Sequence, residues 1–308
     1  MTILMTNAAG LAHQMPIGHP EQIARLEAIN AALAGSEFDT LDRRESPMAD
    51  EADLLLAHPQ AYVDAIRGAA PATGMIALDA DTSMSPGTLE AALRGVGGCL
   101  AAVDAVLAGE AKNAFVATRP PGHHAEKTRA MGFCLFGNVA IAARHALERH
   151  GLSRVAVVDF DVHHGNGTQD LLWDEARALF ISTHQMPLYP GSGAVSERGG
   201  ADNILNLPLA PGSGGDAIRD LFTARILPRL ADFAPELILI SAGFDAHAAD
   251  PLANLNWQTG DFAWITREVC KAADQLCGGR IVSSLEGGYD LDALAEASAA
   301  HVLGLMGA

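Results

Sequence analysis

The sequence predicts an α/β protein built around a mostly parallel sheet. Two observations predict it. Short, continuously apolar runs alternate with helix-length amphipathic segments, which is how buried parallel strands joined by crossover helices read. Five of those runs also release polar, chemically capable residues where they end, and ligands of parallel α/β sheets bind at that carboxyl edge.

The elements follow in chain order. Glu21–Leu33 reads as a helix, with Ile23, Leu26, Ile29 and Leu33 at helical spacing. Leu89–Leu107 reads as another; Ala92, Ala101 and Ala102 favour it, and Gly95, Gly97 and Gly98 predict close packing against a neighbour. The strand Ala114–Ala117 (AFVA) then runs into RPPGHH. Helix Asn138–Arg149 leads to strand Val155–Val158 (VAVV), which runs into DFDVHHGNG, and strand Leu179–Ser182 (LFIS) runs into THQ. Helix Gly215–Leu230 precedes strand Leu237–Ile240 (LILI), which runs into SAGFDAH. Helix Asp261–Leu276, strand Ile281–Leu285 (IVSSL, running into EGGY) and helix Asp292–Met306 complete the pattern. No repeat, low-complexity tract or linker divides residues 1–308, so one domain is expected.

Composition narrows the function. With 49% hydrophobic residues among 308, there is ample apolar material for a large core, which excludes disorder. Twenty basic against 37 acidic residues give a net charge of −17. That argues against a nucleic-acid binder, which needs a basic face, and is compatible with cationic substrates. Four cysteines (Cys99, Cys134, Cys270, Cys277) form no CxxC pair, so neither a disulfide framework nor a thiolate zinc site is expected. MTILMTNAAG lacks the basic and apolar regions of a signal peptide. No run of ~18 apolar residues predicts a membrane span. A cytoplasmic chain is expected.

Three constellations carry chemistry. In Asp159-Phe160-Asp161-Val162-His163-His164, extended backbone would turn Asp159, Asp161 and His163 to one side. With Asp245 at another strand end, Asp161 and His163 would supply three protein ligands and leave a position open for water, the pattern of a catalytic zinc site; iron(II) could occupy the same ligands. In Pro120-Pro121-Gly122-His123-His124, a rigid turn presents two imidazoles suited to general base and general acid. Asp159 and Asn166 are candidates to hydrogen-bond them; a carboxylate raises a histidine pKa more than an amide does, so the pair could titrate apart. In Glu286-Gly287-Gly288-Tyr289, glycines let backbone approach a ligand, and Tyr289 could donate to a developing oxyanion. Together these specify metal-assisted amide hydrolysis. No GxSxG elbow or GxxxxGK[ST] loop supports acyl-enzyme or phosphoryl chemistry.

At these residues the sequence resembles the histone deacetylase family, which includes bacterial deacetylase-like amidohydrolases. The matching stretches are RPPGHHA, GFCLFGNVAIAA, VVDFDVHHGNGTQ, YPGSG, SAGFDAHAADPLA and LEGGYD, spread in family order through most of the chain. The resemblance implies the arginase–deacetylase fold, a parallel sheet of about eight strands flanked by helices. It also implies zinc-dependent removal of an acyl group from an amine, usually acetyl from lysine. It makes Asp161, His163 and Asp245 the zinc ligands, His123 and His124 the catalytic pair, Asp159 and Asn166 their partners, and Tyr289 the oxyanion tyrosine. Gly132, Phe133, Tyr189, Leu252, Gly287 and Gly288 would line the acyl-lysine channel, with Asp81 at its rim. A structural potassium ion would use Asp159, Asp161, His163, Ser182 and Thr183. Asn166 in HHGNG resembles the class II branch. HPEQIARLEAI departs from that branch's HPERPxRL, though Arg25 still stands where the later arginine would, and Met186 and Leu188 alter the channel mouth.

Other readings compete. A ureohydrolase shares the fold but needs additional aspartates for two manganese ions, and Asp245-Ala246-His247 lacks the second one. Acylpolyamines or other small amides would keep the chemistry and change the substrate. A non-catalytic acyl-lysine binding module would require a broken site, which the sequence does not show. A homo-oligomer is compatible with all of these.

Overall fold

The computed structural model describes residues 1–307. The amino-terminal part contains β1 (Thr2–Thr6), α1 (Ile23–Ala32), β2 (Asp42–Glu45), α2 (Glu51–Leu54) and α3 (Gln60–Ala69). A small hairpin, β3 (Ile76–Ala77) and β4 (Ser83–Met84), precedes α4 (Thr88–Leu107), β5 (Asn113–Ala117) and α5 (Asn138–Glu148). Then come β6 (Val155–Asp159), α6 (Asn166–Leu172), β7 (Ala178–Gln185), β8 (Ile204–Leu209), α7 (Gly215–Leu221) and α8 (Leu227–Phe233). The chain continues through β9 (Leu237–Ala242), α9 (Thr259–Cys277), β10 (Ile281–Leu285) and α10 (Leu291–Met306).

Eight strands form one sheet in the order β2-β1-β5-β10-β9-β6-β7-β8. Every neighbouring pair in it is parallel. The five motif-bearing strands expected from the sequence are all present, and they lie side by side as β5-β10-β9-β6-β7. Their loops are therefore neighbours along one edge, although the motifs span most of the chain.

Both faces of the sheet are buried, as the continuous apolar runs predict. Side chains alternate between two cores with period 2. Ala114, Val116, Val155, Val157, Leu237 and Leu239 join α4 and α5 on one face. Phe115, Ala117, Ala156, Val158, Ile238 and Ile240 join α1, α9 and α10 on the other. The glycines of α4 are where backbone comes close. A Cβ at Gly97 would stand 2.2 Å from the Pro47 carbonyl oxygen, and one at Gly98 would stand 2.5 Å from Ser46 Oγ.

The helix expected over Gly215–Leu230 is interrupted. Phe222–Ile226 forms a π turn between α7 and α8. Pro228 sits in the first turn of α8 and has no N–H to continue the ladder, which the wider turn accommodates.

Candidate active site

Asp159 is the last residue of β6, and most of the other chemically capable side chains stand past strand ends, where side-chain-to-backbone bonds fix them. After β6 the chain leaves extended geometry at once, yet the expected convergence holds. Asp159 Oδ1 accepts the Asp161 N–H at 3.1 Å, and Asp161 Oδ1 accepts the His163 N–H at 2.9 Å. These two turns bring Asp159, Asp161 and His163 together while Phe160 and Val162 enter the core. From β9, Asp245 Oδ1 accepts the Val162 N–H at 2.9 Å. From β10, the Gly287 N–H donates to Asp161 Oδ2 at 2.8 Å.

The result is a buried cluster of two carboxylates and one imidazole. His163 Nδ1 lies 3.1 Å from Asp161 Oδ1 and 3.1 Å from Asp245 Oδ2. One donor atom from each residue falls within 4.8 Å of the others. The environment favours a cation: burial opposes charge on His163, yet the two carboxylates raise its pKa to about 10. Backbone crowds the cluster from behind. A Cβ at Gly287 would stand 2.1 Å from Asp245 Oδ2, and one at Gly243 would stand 2.1 Å from Asp161 Oδ2. Two carboxylates and one imidazole with an open side fit a catalytic divalent metal.

The two histidines of the PPGHH turn are held differently. Glu286, at the end of β10, accepts the N–H groups of Gly122 (2.7 Å) and His123 (3.1 Å), which ties the turn to the neighbouring strand. His123 Nδ1 donates to Asp159 Oδ2 at 3.0 Å. Burial works against charge on His123, but Asp161 and Asp159 outweigh it and hold its pKa well above the ordinary value. His124 Nδ1 meets Asn166 Oδ1 at 2.7 Å. The Asn166 amide donates to Glu126 Oε1 at 2.7 Å, which turns its oxygen toward His124 and makes His124 Nδ1 the donor. His124 Nε2 is then the free base. Burial, with the positive charges on His123 and His163, holds its pKa well below the ordinary value. The two rings, 4.0 Å apart between centroids, are thus pushed in opposite directions, His123 toward its charged form and His124 toward its neutral one.

A cavity of about 220 Å³ opens onto this group. His124, His163 and Tyr289 stand at its base, and Gly132, Phe133, Tyr189 and Leu252 line it. Asp81 and Leu188 complete the lining. Gly132 and Phe133 both have left-handed backbone, with φ of 55° and 69°. Asp81 Oδ1 accepts the Gly132 N–H at 3.2 Å, and Thr82 Oγ1 accepts the Phe133 N–H at 3.0 Å. Gly287 and Gly288 do not line the cavity; Gly287 lies against the Asp245 and Asp161 carboxylates, and Gly288 against Leu294 and Phe244. Met186 is also outside the lining. The residues expected at a potassium site meet at adjacent strand ends: Asp159 pairs with Ser182 across β6 and β7, and Thr183 Oγ1 donates to the Asp159 carbonyl at 3.4 Å.

The Histone deacetylase domain model matches residues 19–305. The chain belongs to the histone deacetylase family. It is similar to a histone deacetylase-like amidohydrolase of Pseudomonas aeruginosa, with 44% identity over 277 residues covering 88% of this chain and 73% of that protein. It is 40% identical to "Histone deacetylase 14, chloroplastic" of Arabidopsis thaliana, over 99% of this chain and 77% of that one. Among solved structures, the crystal structure of the HDA15 HD domain superimposes with a TM-score of 0.94 at 32% identity, covering 99% of this chain and 88% of that one. This histone deacetylase family member has the arginase–deacetylase fold. Among its described residues no helix is long and apolar enough to cross a membrane.

Sequence reasoning gave no role to a buried ionic layer beneath this family site. Arg25 donates to the carbonyls of Glu286 (2.6 Å) and Gly288 (2.5 Å), and its guanidinium lies 4.8 Å from the Tyr289 ring centroid. Glu21 bonds both Arg25 and Arg119, and Arg119 in turn holds the Gly10 carbonyl at 2.7 Å. Burial opposes ionisation of Glu21, but Arg119 and His13 hold its pKa far below the carboxylate range. The available signal was Arg25 itself, a charge placed among the apolar positions of an amphipathic helix.

Proposed function

We propose that this chain is a single-domain zinc-dependent deacylase that hydrolyses the amide of an acylated amine, with acetyl-lysine as the leading substrate. The observation that supports this most is the narrow cavity ending on the Asp161–His163–Asp245 cluster, with a neutral and a charged imidazole beside it. Aromatic faces of Phe133 and Tyr189 would flank an alkyl chain, and the Asp81 carboxylate at the mouth suits the polar backbone or cationic part of a substrate.

Zinc held by Asp161, His163 and Asp245 would acidify a bound water and polarise the amide carbonyl. His124, neutral with Nε2 unprotonated, accepts the proton that the water loses on attack. Protonated His124 then returns that proton to the leaving amine. His123, whose charged form Asp161 and Asp159 favour, would place positive charge near the developing oxyanion. Burial, chiefly, holds the Tyr289 hydroxyl pKa well above its ordinary value, so Tyr289 remains an O–H donor to that oxyanion. The Tyr289 N–H donates to Asp250 Oδ2 at 2.7 Å, and Asp290 caps α10 immediately after it, which fixes the tyrosine.

The test is acetate release from an acetyl-lysine peptide by metal-stripped protein, with and without added zinc, beside Tyr289→Phe. The expected result is zinc-dependent release that falls roughly 100-fold or more in Tyr289→Phe. No release from folded, zinc-loaded protein would sink the acetyl-lysine assignment. Acylpolyamines would then be the next substrates.

A further inference from the structure

Away from the catalytic cavity, the ends of two helices meet at one carboxylate. Asp104 lies in the last turn of α4, His145 in the last turn of α5, and His150 just beyond α5. Both helices run back from the catalytic edge, so the cluster sits at the opposite, amino edge of the sheet. His145 Nε2 is 2.6 Å and His150 Nε2 is 2.7 Å from the same oxygen, Asp104 Oδ1. The three donor atoms lie within 4.8 Å of one another. The rings approach edge to face, with centroids 5.2 Å apart.

We propose that Asp104, His145 and His150 form a second divalent transition-metal site, separate from the catalytic cluster, that clips the end of α4 to the end of α5.

The donor set is two imidazole nitrogens and one carboxylate oxygen, the set that suits zinc, copper(II) or nickel(II) and discriminates against calcium and magnesium. The geometry is close to ready. Donors about 2.0–2.1 Å from a tetrahedral zinc stand roughly 3.3 Å apart, so each nitrogen need move about 0.6–0.7 Å from Asp104 Oδ1, and the two nitrogens, within 4.8 Å of each other, need close by at most about 1.5 Å. The Asp104 side chain is 54% exposed and that of His150 is 29% exposed, which leaves the remaining coordination positions to water. Electrostatics adds a second, independent reason. The carbonyl ends of α4 and α5 both point here, and each helix places about half a negative charge at its carboxyl end. His145 sets the strength. When its Nε2 lone pair turns to a metal, the ring proton moves to Nδ1, which is buried without a partner. That cost makes this the weaker of the two sites.

The test is a calorimetric titration of zinc-loaded protein with further zinc chloride near neutral pH, beside His150→Ala and Asp104→Asn. Wild type is expected to take up one more zinc per chain, and each variant is expected to lose it or bind it at least tenfold more weakly. The wild-type melting temperature should rise with free zinc, and that of His150→Ala should not. Acetate release at saturating catalytic zinc should be the same in wild type and His150→Ala. The difference in zinc uptake between those two proteins counts this site alone, whatever else the chain binds. No additional zinc in wild type, or additional zinc retained undiminished in both variants, would overturn the proposal and leave an ordinary His–Asp–His hydrogen-bond cluster.

Discussion

Replacing Gly287 by alanine tests how the backbone shapes the ligand cluster. The new Cβ would stand 2.1 Å from Asp245 Oδ2 and 2.6 Å from Asp161 Oδ2. Ordinary carbon–oxygen contact begins near 3.4 Å, so both oxygens must retreat by about 1 Å. Neither is free to do so without loss. Asp161 Oδ2 accepts the Gly287 N–H itself, and the other oxygen of Asp245 holds the Val162 N–H. A coordination sphere tolerates about 0.2 Å, and disturbing the groups that orient metal ligands typically costs 10–100-fold in affinity. A displacement of about 1 Å in two ligands at once belongs at the upper end, so a loss of about 100-fold, or about 2.7 kcal/mol, is expected. The assay is competition for zinc against a chromophoric chelator, followed by acetate release at saturating zinc. Gly68→Ala is the control, because a Cβ there meets nothing within 4 Å. Wild-type zinc affinity in a folded Gly287→Ala protein would refute the close-approach reasoning.

Three further outcomes follow from the same geometry. Asn166→Ala removes the acceptor that fixes the His124 tautomer and leaves Glu126 without its partner; kcat should fall roughly 10–100-fold with zinc affinity unchanged, and an unchanged kcat would count against His124 as the base. Arg25→Lys cannot span two carbonyls, Glu21 and the Tyr289 ring at once, so urea denaturation should show about 2–4 kcal/mol lost, with slower turnover; wild-type values would show the layer to be idle. His301 is buried between the Thr266 and Ser283 hydroxyls, and burial lowers its pKa from 6.5 to about 3. Below pH 6.5 the unfolded chain therefore takes up a proton that the folded chain refuses, and stability falls as pH drops toward 3 by about 1.4 kcal/mol per pH unit. Urea midpoints in EDTA should converge for wild type and His301→Gln as pH falls, and parallel profiles would refute this.

The central strands were legible because burial on both faces writes itself as unbroken apolar residues. The sequence names β5, β6, β7, β9 and β10, and with them every catalytic candidate. The outer strands carry a weaker signal. β2 reads DRRE, an edge strand with alternate residues exposed, and nothing apolar marks it. β8 holds Pro208, which an edge strand tolerates but which breaks the pattern. α6 opens with Asn166 and Gly167, poor helix formers placed there because Gly167 packs against Ala125. Within the site, the Asp159–His123 and Asn166–His124 pairs were legible; the burial and the Asp161, His123 and His163 charges that push the two imidazoles in opposite directions were not. Of the Glu21–Arg25–Arg119 layer only the i,i+4 pair Glu21–Arg25 is local; the Glu21–Arg119 pairing across 98 residues leaves no spacing to read.

The carboxylates of this site perform two jobs that are physically inseparable. None of His123, His124, Asp161, His163, Asp245 or Tyr289 lies within a strand, so strand pairing does not fix them. Their backbone is fixed by acidic side chains from adjacent loops: Glu286 on the PPGHH turn, Asp159 and Asp161 along the β6 loop, Asp245 on Val162, Asp250 on Tyr289. Burying so much negative charge opposes folding unless each oxygen is engaged. Here the N–H groups freed where the strands stop are what engage them. The charge that would attract a metal is therefore also the charge that positions the side chains proposed to hold it. For that reason, substituting Asp161 would remove a proposed ligand and two loop contacts together, whereas adding one methyl group at Gly287 would perturb the proposed coordination from outside and separate the two effects.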